Sequence, residues 1–306
     1  MGLLNGKAVV ITGSGRGIGA GCARGVAAQG ASVVVNDVDA GPANDTVEAI
    51  RAAGGNAVAC VADVTNWDQA GKLIQSCIDN FGKIDGLVNN AAVLDRFEIS
   101  EFNPKTAKWM AEVNVIGPMY VAGRAVKPML AQGSGSIINV VSGAHMGMPG
   151  LGIYGATKGA VASMVYTWSM ELAGTGVRVN GLSPFGATTI GQRHSDESID
   201  EEANARRNAA LPPPEANSPV VEYLLSDRAA HVNGQLVRID RKEISLYTHP
   251  ALLLPPALND AWTADRVAEA FDNEFKDRLV ACGVLGMESL PVDLKTGFHA
   301  RAKQDA

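Results

Sequence analysis

Tyr154 and Lys158 are the pair of residues in this chain best suited to acid–base chemistry. They lie four positions apart in a stretch typical of a helix start, so their side chains stand one turn apart on one face. A phenol with a pKa of about 10 is a poor base at neutral pH, and a nearby ammonium group lowers that pKa. The pair therefore suits proton exchange with an alcohol or ketone. Because the same spacing is common on solvated helix faces, its interpretation depends on the rest of the chain.

A glycine-rich turn near the N-terminus predicts a dinucleotide site. A short apolar strand at 7–11 leads into a turn that contains Gly13, Arg16, Gly17 and Ile18, and a helical pattern follows. Glycines let the backbone approach a pyrophosphate, and a helix N-terminus supplies N–H donors and a favourable dipole.

Asp37 stands at the end of the second predicted strand, 31–35, about twenty residues after the turn. There a carboxylate can accept hydrogen bonds from a ribose diol, and it repels a 2′-phosphate. Asp37 thus favours NAD over NADP. Arg16 is the counter-argument, because it lies inside the turn and could reach a 2′-phosphate.

Strands and helices alternate through the first half of the chain, which predicts an α/β fold with a doubly wound parallel sheet and helices on both faces. Strands are predicted at 56–61, 84–88 and 136–141, and helices at 46–53, 67–80 and 106–131. Pro118 and Pro128 predict a kink or break in the last of these helices. Loops that follow parallel strands meet at the carboxyl edge of the sheet, where ligands bind. The residues placed at that edge are Asp63, Val64, Asn89, Asn90 and Ser142.

The remainder of the chain predicts a strand at 177–182, a helix at 220–225 and a last strand beginning at 234. The polar segment 186–215 lacks periodicity, and we interpret it as a substrate lid. Residues 1–244 form the predicted catalytic domain, and 245–306 form a C-terminal helical extension. In that extension Thr263 is expected to cap an amphipathic helix, with Trp262 packing onto Val267. Its apolar stripe would bury on this subunit or a neighbour, or would partly close the substrate pocket.

Composition excludes several other classes of function. Hydrophobic residues make up 46% of the 306 residues, and the formal net charge of −6 argues against a nucleic-acid or membrane-surface partner. The four cysteines are widely spaced, so we expect neither a metal site nor a disulfide framework. The sequence lacks the pattern of a signal peptide and any run of apolar residues long enough to span a membrane, so a cytoplasmic location is expected.

Taken together, the motifs resemble the short-chain dehydrogenase/reductase family over about residues 5–240. The motifs that carry the resemblance are the glycine turn from Thr12 to Gly19, Asn89-Asn90-Ala91, Asn114, Ser142 and Tyr154-x-x-x-Lys158. The resemblance implies a Rossmann-like, seven-stranded parallel sheet, a homodimer or homotetramer, and a small-molecule alcohol or ketone as substrate. Two departures are Ala92, where the family usually has glycine, and Ser183-Pro184-Phe185-Gly186 after the sixth strand.

The resemblance also implies the roles of individual residues. Tyr154 is the general acid/base, Lys158 lowers its pKa and holds the nicotinamide ribose, Ser142 positions the reacting oxygen, and Asn114 holds a water that links Lys158 to solvent. Cofactor contacts are implied for Gly13, Arg16, Gly17, Ile18, Asp37, Asp63, Val64, Asn90, Ala187 and Thr189, with Thr188 an alternative to Thr189.

Within the family, the chain is similar to the branch with the 3-hydroxyacyl-CoA dehydrogenase part of the multifunctional β-oxidation enzyme. This similarity implies an NAD-dependent enzyme acting on a bulky apolar secondary alcohol, such as a 3-hydroxyacyl-CoA or a steroid. The alternatives are a cyclic or aromatic alcohol dehydrogenase and a non-catalytic NAD sensor. His145, three residues past Ser142, could touch the substrate or lie on the loop surface, and Met146, Met148 and Leu151 could line an apolar pocket.

Overall fold

The structure is a computed structural model that describes residues 2–186, 211–250, 255–279, 292–293 and 297–298. The chain divides into two units, Met1–Tyr247 (unit 1) and Thr248–Ala306 (unit 2). The predicted division after residue 244 stays a prediction.

Eight of the described strands form one sheet in unit 1, in the order β3-β2-β1-β4-β5-β6-β7-β8. Neighbouring strands from β3 to β7 pair in parallel, whereas β8 pairs antiparallel with β7. The strands are β1 (Ala8–Ile11), β2 (Ser32–Asp37), β3 (Asn56–Val61), β4 (Gly86–Asn89), β5 (Gly135–Val140), β6 (Val177–Ser183), β7 (Leu236–Asp240) and β8 (Glu243–Leu246).

The helices cover both faces of this sheet. Its central strands are short apolar runs because parallel strands in such folds are buried on both sides. Helices α1, α2 and α7 pack on one face, and α3, α5 and the end of α6 pack on the other. The helices are α1 (Gly17–Ala28), α2 (Ala40–Ala52), α3 (Trp67–Phe81), α4 (Pro104–Ala111), α5 (Gly117–Gln132), α6 (Gly152–Glu171), α7 (Ser218–Leu225) and, in unit 2, α8 (Ala264–Ala270). The predicted α/β class with a doubly wound sheet is confirmed.

The long helical stretch predicted at 106–131 is interrupted. Helix α4 ends at Ala111, a π turn covers Glu112–Ile116, and α5 begins at Gly117. Pro118 lies directly after the π turn, in the first turn of α5, and Pro128 lies within α5. The π turn contains Asn114, so the interruption falls at a predicted site residue.

Strand β8 was not among the predicted elements, and it makes the sheet eight-stranded rather than seven-stranded. Asp240 pairs with Glu243, so the β7–β8 hairpin turns through Arg241 and Lys242. Arg241 has a φ of +55°, which glycine or asparagine usually supplies in such a turn. The hairpin escaped prediction because the sequence lacks that usual turn signal.

In unit 2, the Thr263 hydroxyl accepts a hydrogen bond from the Arg266 N–H at 3.3 Å, which confirms the predicted helix cap. Helix α8 continues into a π turn at Phe271–Phe275 and a 3-10 turn at Lys276–Arg278. Trp262, Val267 and Phe271 are exposed on this chain, so burial of the apolar stripe stays a prediction. A two-residue strand pair, Val292–Asp293 with Gly297–Phe298, is also described.

Most of the predicted lid, residues 187–210 of the segment 186–215, lies outside the described residues. None of the helices in the described ranges is long and apolar enough to cross a membrane.

Candidate active site

The predicted site residues collect at the carboxyl edge of the parallel sheet. The glycine turn follows β1, Asp37 ends β2, Asp63 follows β3, Asn90 follows β4 and Ser142 follows β5. Parallel pairing brings these loops side by side, which is the usual ligand-binding edge of a doubly wound sheet.

Tyr154 and Ser142 meet through their hydroxyl groups. Tyr154 lies in the first turn of α6, and Ser142 begins the 3-10 turn Gly143–Met146 after β5. Burial raises the pKa of Tyr154 to about 12, and a side-chain hydrogen bond with Ser142 acts in the opposite direction. The net direction is opposite to the lowering that the Tyr154–Lys158 spacing predicts, because the phenolate loses more hydration than its neighbours replace.

Lys158 is 2% exposed and carries its ammonium group into the interior. Its Nζ donates a hydrogen bond to the Val140 carbonyl at 2.8 Å and lies 5.7 Å from the centroid of the Tyr154 ring. Burial lowers the pKa of Lys158 to about 8. Because this pKa lies close to neutral pH, the Lys158 ammonium group can exchange a proton as well as carry a positive charge.

Asn114 is fully buried and joins two parts of the site. Its Oδ1 accepts from the Val93 N–H at 2.8 Å, and its Nδ2 donates to the Val93 carbonyl at 2.8 Å. The same Nδ2 donates to the Thr157 hydroxyl at 3.1 Å, and that hydroxyl donates to the Tyr154 carbonyl at 2.7 Å. Asn114 therefore fixes the loop after β4 against the end of α6 that contains Tyr154. Thr157 and Val93 were not predicted to take part in this contact.

The glycines of the turn stand where the backbone leaves no room for a side chain. Gly13 and Gly17 have φ values of +59° and +55°, in the region that favours glycine. A Cβ at Gly13 would lie 2.7 Å from the Ala91 Cα, and one at Gly19 would lie 2.3 Å from the Gly13 carbonyl oxygen. The turn opens α1, whose N-terminal N–H groups suit a phosphate. These features fit the pyrophosphate of a dinucleotide.

Asp37 is held against the glycine turn. Its Oδ2 accepts from the Gly15 N–H at 3.2 Å, and its Oδ1 accepts from the Asp39 N–H at 3.2 Å. Arg16 precedes α1 and its Nη2 forms an ion pair with the Asp39 Oδ2 at 2.8 Å. Asp39 thus engages the cation that could otherwise meet a 2′-phosphate.

Asn90 and Thr12 tie the loop after β4 to the glycine turn. Asn90 Nδ2 donates to the Thr12 and Gly13 carbonyls at 3.0 and 2.9 Å. The Thr12 hydroxyl accepts from the Asn90 and Ala91 N–H groups, both at 3.0 Å. No separate role was predicted for Thr12, although a hydroxyl directly before a glycine turn is a signal that could have identified it.

The remaining predicted cofactor residues stand at separate points of the edge. Asp63 Oδ1 accepts from the Thr65 N–H and hydroxyl, both at 2.8 Å, and Val64 is buried. Ile18 is partly buried in α1. Ala187, Thr188 and Thr189 lie outside the described residues. In the described part of the chain, no three His, Cys, Asp or Glu side chains cluster to hold a metal, and Cys22, Cys60 and Cys77 are free thiols.

His145 contacts the Ser142 turn and the end of the β7–β8 hairpin. Its main-chain N–H donates to the Ser142 carbonyl at 3.2 Å, and its Nδ1 lies within hydrogen-bond distance of the same oxygen. Its ring meets the Tyr247 ring edge to face, with centroids 5.2 Å apart. The Tyr247 hydroxyl bonds the Ser183 hydroxyl at 3.1 Å and also bonds Arg238. Tyr247 was not among the predicted residues, since no motif marks it.

Comparisons with known proteins identify relatives of this chain. The family model described as short chain dehydrogenase matches residues 7–199. An uncharacterized oxidoreductase of Methylorubrum extorquens is 37% identical over 78% of this chain and 97% of its own length. A 3-oxoacyl-(acyl-carrier-protein) reductase of Synechocystis is 36% identical, covering 78% and 96%. A cis-4-hydroxycyclohexanecarboxylate dehydrogenase of Sinomonas cyclohexanicum is 32% identical, covering 76% and 95%.

Two solved structures share the fold. A short chain dehydrogenase from Mycobacterium avium superposes with a TM-score of 0.78 at 30% identity, covering 90% of this chain and 96% of that one. A gluconate 5-dehydrogenase from Burkholderia cenocepacia, in complex with NADP and tartrate, superposes with a TM-score of 0.70 at 32% identity, covering 78% and 94%.

Proposed function

The chain belongs to the short chain dehydrogenase family and is an oxidoreductase acting on a CH–OH group, and we propose that it uses NAD to interconvert a bulky apolar secondary alcohol and its ketone. The observation that carries this proposal is the hydroxyl pair of Tyr154 and Ser142 beside the buried Lys158. Three groups that can exchange or hold a proton lie at the same edge of the sheet as a glycine turn that fits a dinucleotide.

Each catalytic residue has a task that its environment supports. Tyr154, with its pKa raised to about 12, is protonated at neutral pH and can donate to the oxygen of a ketone. Ser142 shares a hydrogen bond with that phenol and so can hold the same substrate oxygen. Lys158, with its pKa lowered to about 8, can return a proton toward the phenol and bind the cofactor ribose. When bound, the nicotinamide supplies or accepts the hydride.

The preference for NAD rests on Asp37 and Asp39. The Asp37 carboxylate ends β2 beside the Gly15 N–H, where a ribose diol would lie and a 2′-phosphate would be repelled. A free Arg16 side chain would favour NADP, because it could bind the 2′-phosphate. Its ion pair with Asp39 engages the guanidinium group and so weakens that preference. The NADP complex of the Burkholderia cenocepacia relative shows that the fold also accepts NADP, so the measurement has to compare both cofactors.

A bulky apolar substrate is supported by the residues around the Ser142 turn. Met146 is exposed beside His145, and Tyr247 presents an aromatic ring to the same turn. The name of the Synechocystis relative supports an acyl substrate, which is also what the predicted resemblance to the 3-hydroxyacyl-CoA branch implies. The name of the Sinomonas cyclohexanicum relative supports the second candidate, a cyclic alcohol.

The test is a panel of secondary alcohols incubated with the purified protein and NAD or NADP, with reduced cofactor followed at 340 nm. We expect NADH formation with an acyl, steroid or alicyclic alcohol, and a kcat/KM higher with NAD than with NADP. Tight NAD binding without turnover of any alcohol or reduction of any ketone would favour a sensor instead. Faster turnover with NADP would contradict the cofactor assignment.

We also propose that the protein is a cytoplasmic homodimer or homotetramer. Helices α5 and α6 carry exposed apolar side chains, Met119, Leu130 and Met170, that a second copy of the chain could cover. Sedimentation equilibrium would show a mass of two or four chains, and a monomer across the micromolar range would contradict the proposal.

A further inference from the structure

We propose that His145 is a positioning residue for Ser142, and that Tyr247 holds the His145 ring in place. The inference rests on the proposed function, because it concerns how the serine hydroxyl is aimed at the reacting oxygen. No motif of the chain marks either residue for this role.

The contact between the His145 ring and the Ser142 carbonyl determines which ring nitrogen carries the proton. A carbonyl oxygen can only accept a hydrogen bond, so the His145 Nδ1 that lies against the Ser142 carbonyl must carry the proton. His145 therefore bonds that carbonyl twice, from its main-chain N–H at 3.2 Å and from its ring. The ring contact fixes the peptide plane that follows Ser142.

Two hydrogen bonds hold the Ser142 hydroxyl in position. Its Oγ accepts from the Ala144 N–H at 3.2 Å and shares a hydrogen bond with the Tyr154 phenol. Both bonds require the 3-10 turn Gly143–Met146 to keep its shape. That turn leads into Gly147, with a φ of +108°, and Gly150, with a φ of +71°, so the backbone beyond it contains two conformationally permissive positions. The hydrogen bond from the His145 ring to the Ser142 carbonyl therefore restricts the turn, which the two glycines would otherwise leave free to move.

The His145 ring packs against Tyr247, which is itself held in place. Tyr247 is fixed by its main-chain N–H, which donates to the Leu236 carbonyl at 3.0 Å, and by its hydroxyl bonds to Ser183 and Arg238. Arg238 in turn forms an ion pair with Asp240 at 2.8 Å. The edge-to-face contact of Tyr247 with His145 thus connects the β7–β8 hairpin to the catalytic serine.

Three substitutions of His145 separate positioning from general packing. His145→Asn keeps an N–H near the place of Nδ1, His145→Gln moves the N–H toward the place of Nε2, and His145→Ala removes it. We expect kcat to fall about 10-fold for His145→Ala and His145→Gln, because misplacement of a catalytic group by a fraction of an ångström costs rate. We expect His145→Asn to recover kcat to within about threefold of wild type, and the dissociation constant of NAD to stay within about twofold in all three. Equal loss in all three variants, or no loss in any, would overturn the proposal.

Tyr247 is tested by a double-mutant cycle with His145. Tyr247→Leu is expected to lower kcat several-fold, and the double variant Tyr247→Leu/His145→Ala to be no slower than His145→Ala alone, because Tyr247 acts through the ring. Multiplicative losses would show that Tyr247 acts by another route, and would overturn that part of the proposal.

A measurement without substrate separates this proposal from the proposed function. Long-range ¹⁵N–¹H NMR of histidine-labelled protein above neutral pH, with His145 identified by the signal lost in His145→Asn, should show the Nδ1–H tautomer. An Nε2–H tautomer would overturn the positioning contact. A protein with the Nδ1–H tautomer that turns over no alcohol or ketone would count against the proposed function, while the contact would stand.

Discussion

At the scale of single residues, the buried Lys158 makes the stability of the fold depend on pH. Its pKa of about 8 in the folded chain lies below the ordinary value of 10.5, so the unfolded chain binds more protons between these pH values. The stability that this group contributes is therefore complete above pH 10.5 and is lost as the pH falls through 8.

We predict that the unfolding free energy of the wild type, relative to that of Lys158→Met, rises by about 2 kcal/mol from pH 8 to pH 10. The difference between the two proteins is the quantity to measure, because Cys22 and Tyr154 also titrate with raised pKa values in both. Urea unfolding of both proteins at four pH values measures this difference in unfolding free energy. Lys127→Met, at an exposed position of α5, is the control and should show no such slope. A constant difference for Lys158→Met would contradict the buried ammonium group.

Tyr154→Phe removes the proton that the proposed chemistry needs and keeps the ring. Turnover is expected to fall about 10²- to 10⁴-fold, the range for loss of a general acid or base, while NAD affinity is retained. Tyr166→Phe, some three turns further along α6, is the matched control and should leave turnover unchanged. Steady-state kinetics and NAD titration together decide the point, and unchanged turnover in Tyr154→Phe would refute the assignment.

Asp37→Ala is expected to reduce the preference for NAD, since it removes both the ribose acceptor and the repulsion of a 2′-phosphate. Asp39→Ala should release Arg16 from its ion pair and shift the preference in the same direction. The measurement is the ratio of kcat/KM for NAD and NADP in each variant. A ratio unchanged by Asp37→Ala but changed by Asp39→Ala would show that Arg16 sets the preference.

The residue types could be predicted from the sequence, but their environments could not. Spacing alone indicated that Tyr154 and Lys158 share a helix face. The direction of the Tyr154 pKa depends on how much water the fold removes from the phenol, which spacing does not specify. Tyr247 lies 93 positions from Tyr154 in the sequence, and only the register of β7 and β8 brings it to His145.

At the scale of elements, the glycine turn before α1 has no space for a side chain at Gly13. Gly13→Ala would place a Cβ 2.7 Å from the Ala91 Cα at a φ of +59°, so we expect NAD affinity to fall at least about 10-fold and stability by about 1 kcal/mol or more. Isothermal titration with NAD and chemical denaturation measure both quantities.

Gly41→Ala is the control for this substitution. A Cβ at this exposed position in the first turn of α2 would meet no heavy atom within 4 Å, so neither affinity nor stability should fall. Retained NAD affinity in Gly13→Ala would show that this backbone is not the pyrophosphate site.

Elements with strong periodicity could be predicted, whereas interruptions and edges could not. The alternation of apolar runs and helical patterns identified β1–β7 because each packs against a helix with its own period. The π turn at Glu112–Ile116 is an extra residue in a helix, so no change of composition announces it. Strand β8 is only four residues long, is exposed along its length and follows a hairpin turn without glycine, so no turn signal marks its start.

At the scale of the whole molecule, unit 1 contains nearly all of the described core. The buried hydrophobic side chains of the described residues run from Leu4 to Ile239, and Ala270 alone belongs to unit 2. We predict that residues 1–247 fold cooperatively and bind NAD without unit 2. Differential scanning calorimetry and NAD titration of this fragment test the prediction, and an aggregated or non-cooperative fragment would contradict it.

Kinetics of the same fragment would test the predicted role of the extension. If 248–306 closes the substrate pocket, the KM for a bulky alcohol should rise in the fragment while the KM for a small one changes little. Equal changes for both would contradict that role. The sequence predicted the α8 cap and the apolar stripe because both are local patterns. It could not predict what covers the stripe, because that depends on a surface elsewhere.

The π turn between α4 and α5 sets the direction in which Asn114 points. One residue inserted into an α-helix rotates everything beyond it by about 100°. Deleting a residue from Glu112–Ile116 would restore regular winding and turn the Asn114 amide away from Val93 and Thr157. The number of residues in this helical stretch therefore matters as much as the identity of the asparagine.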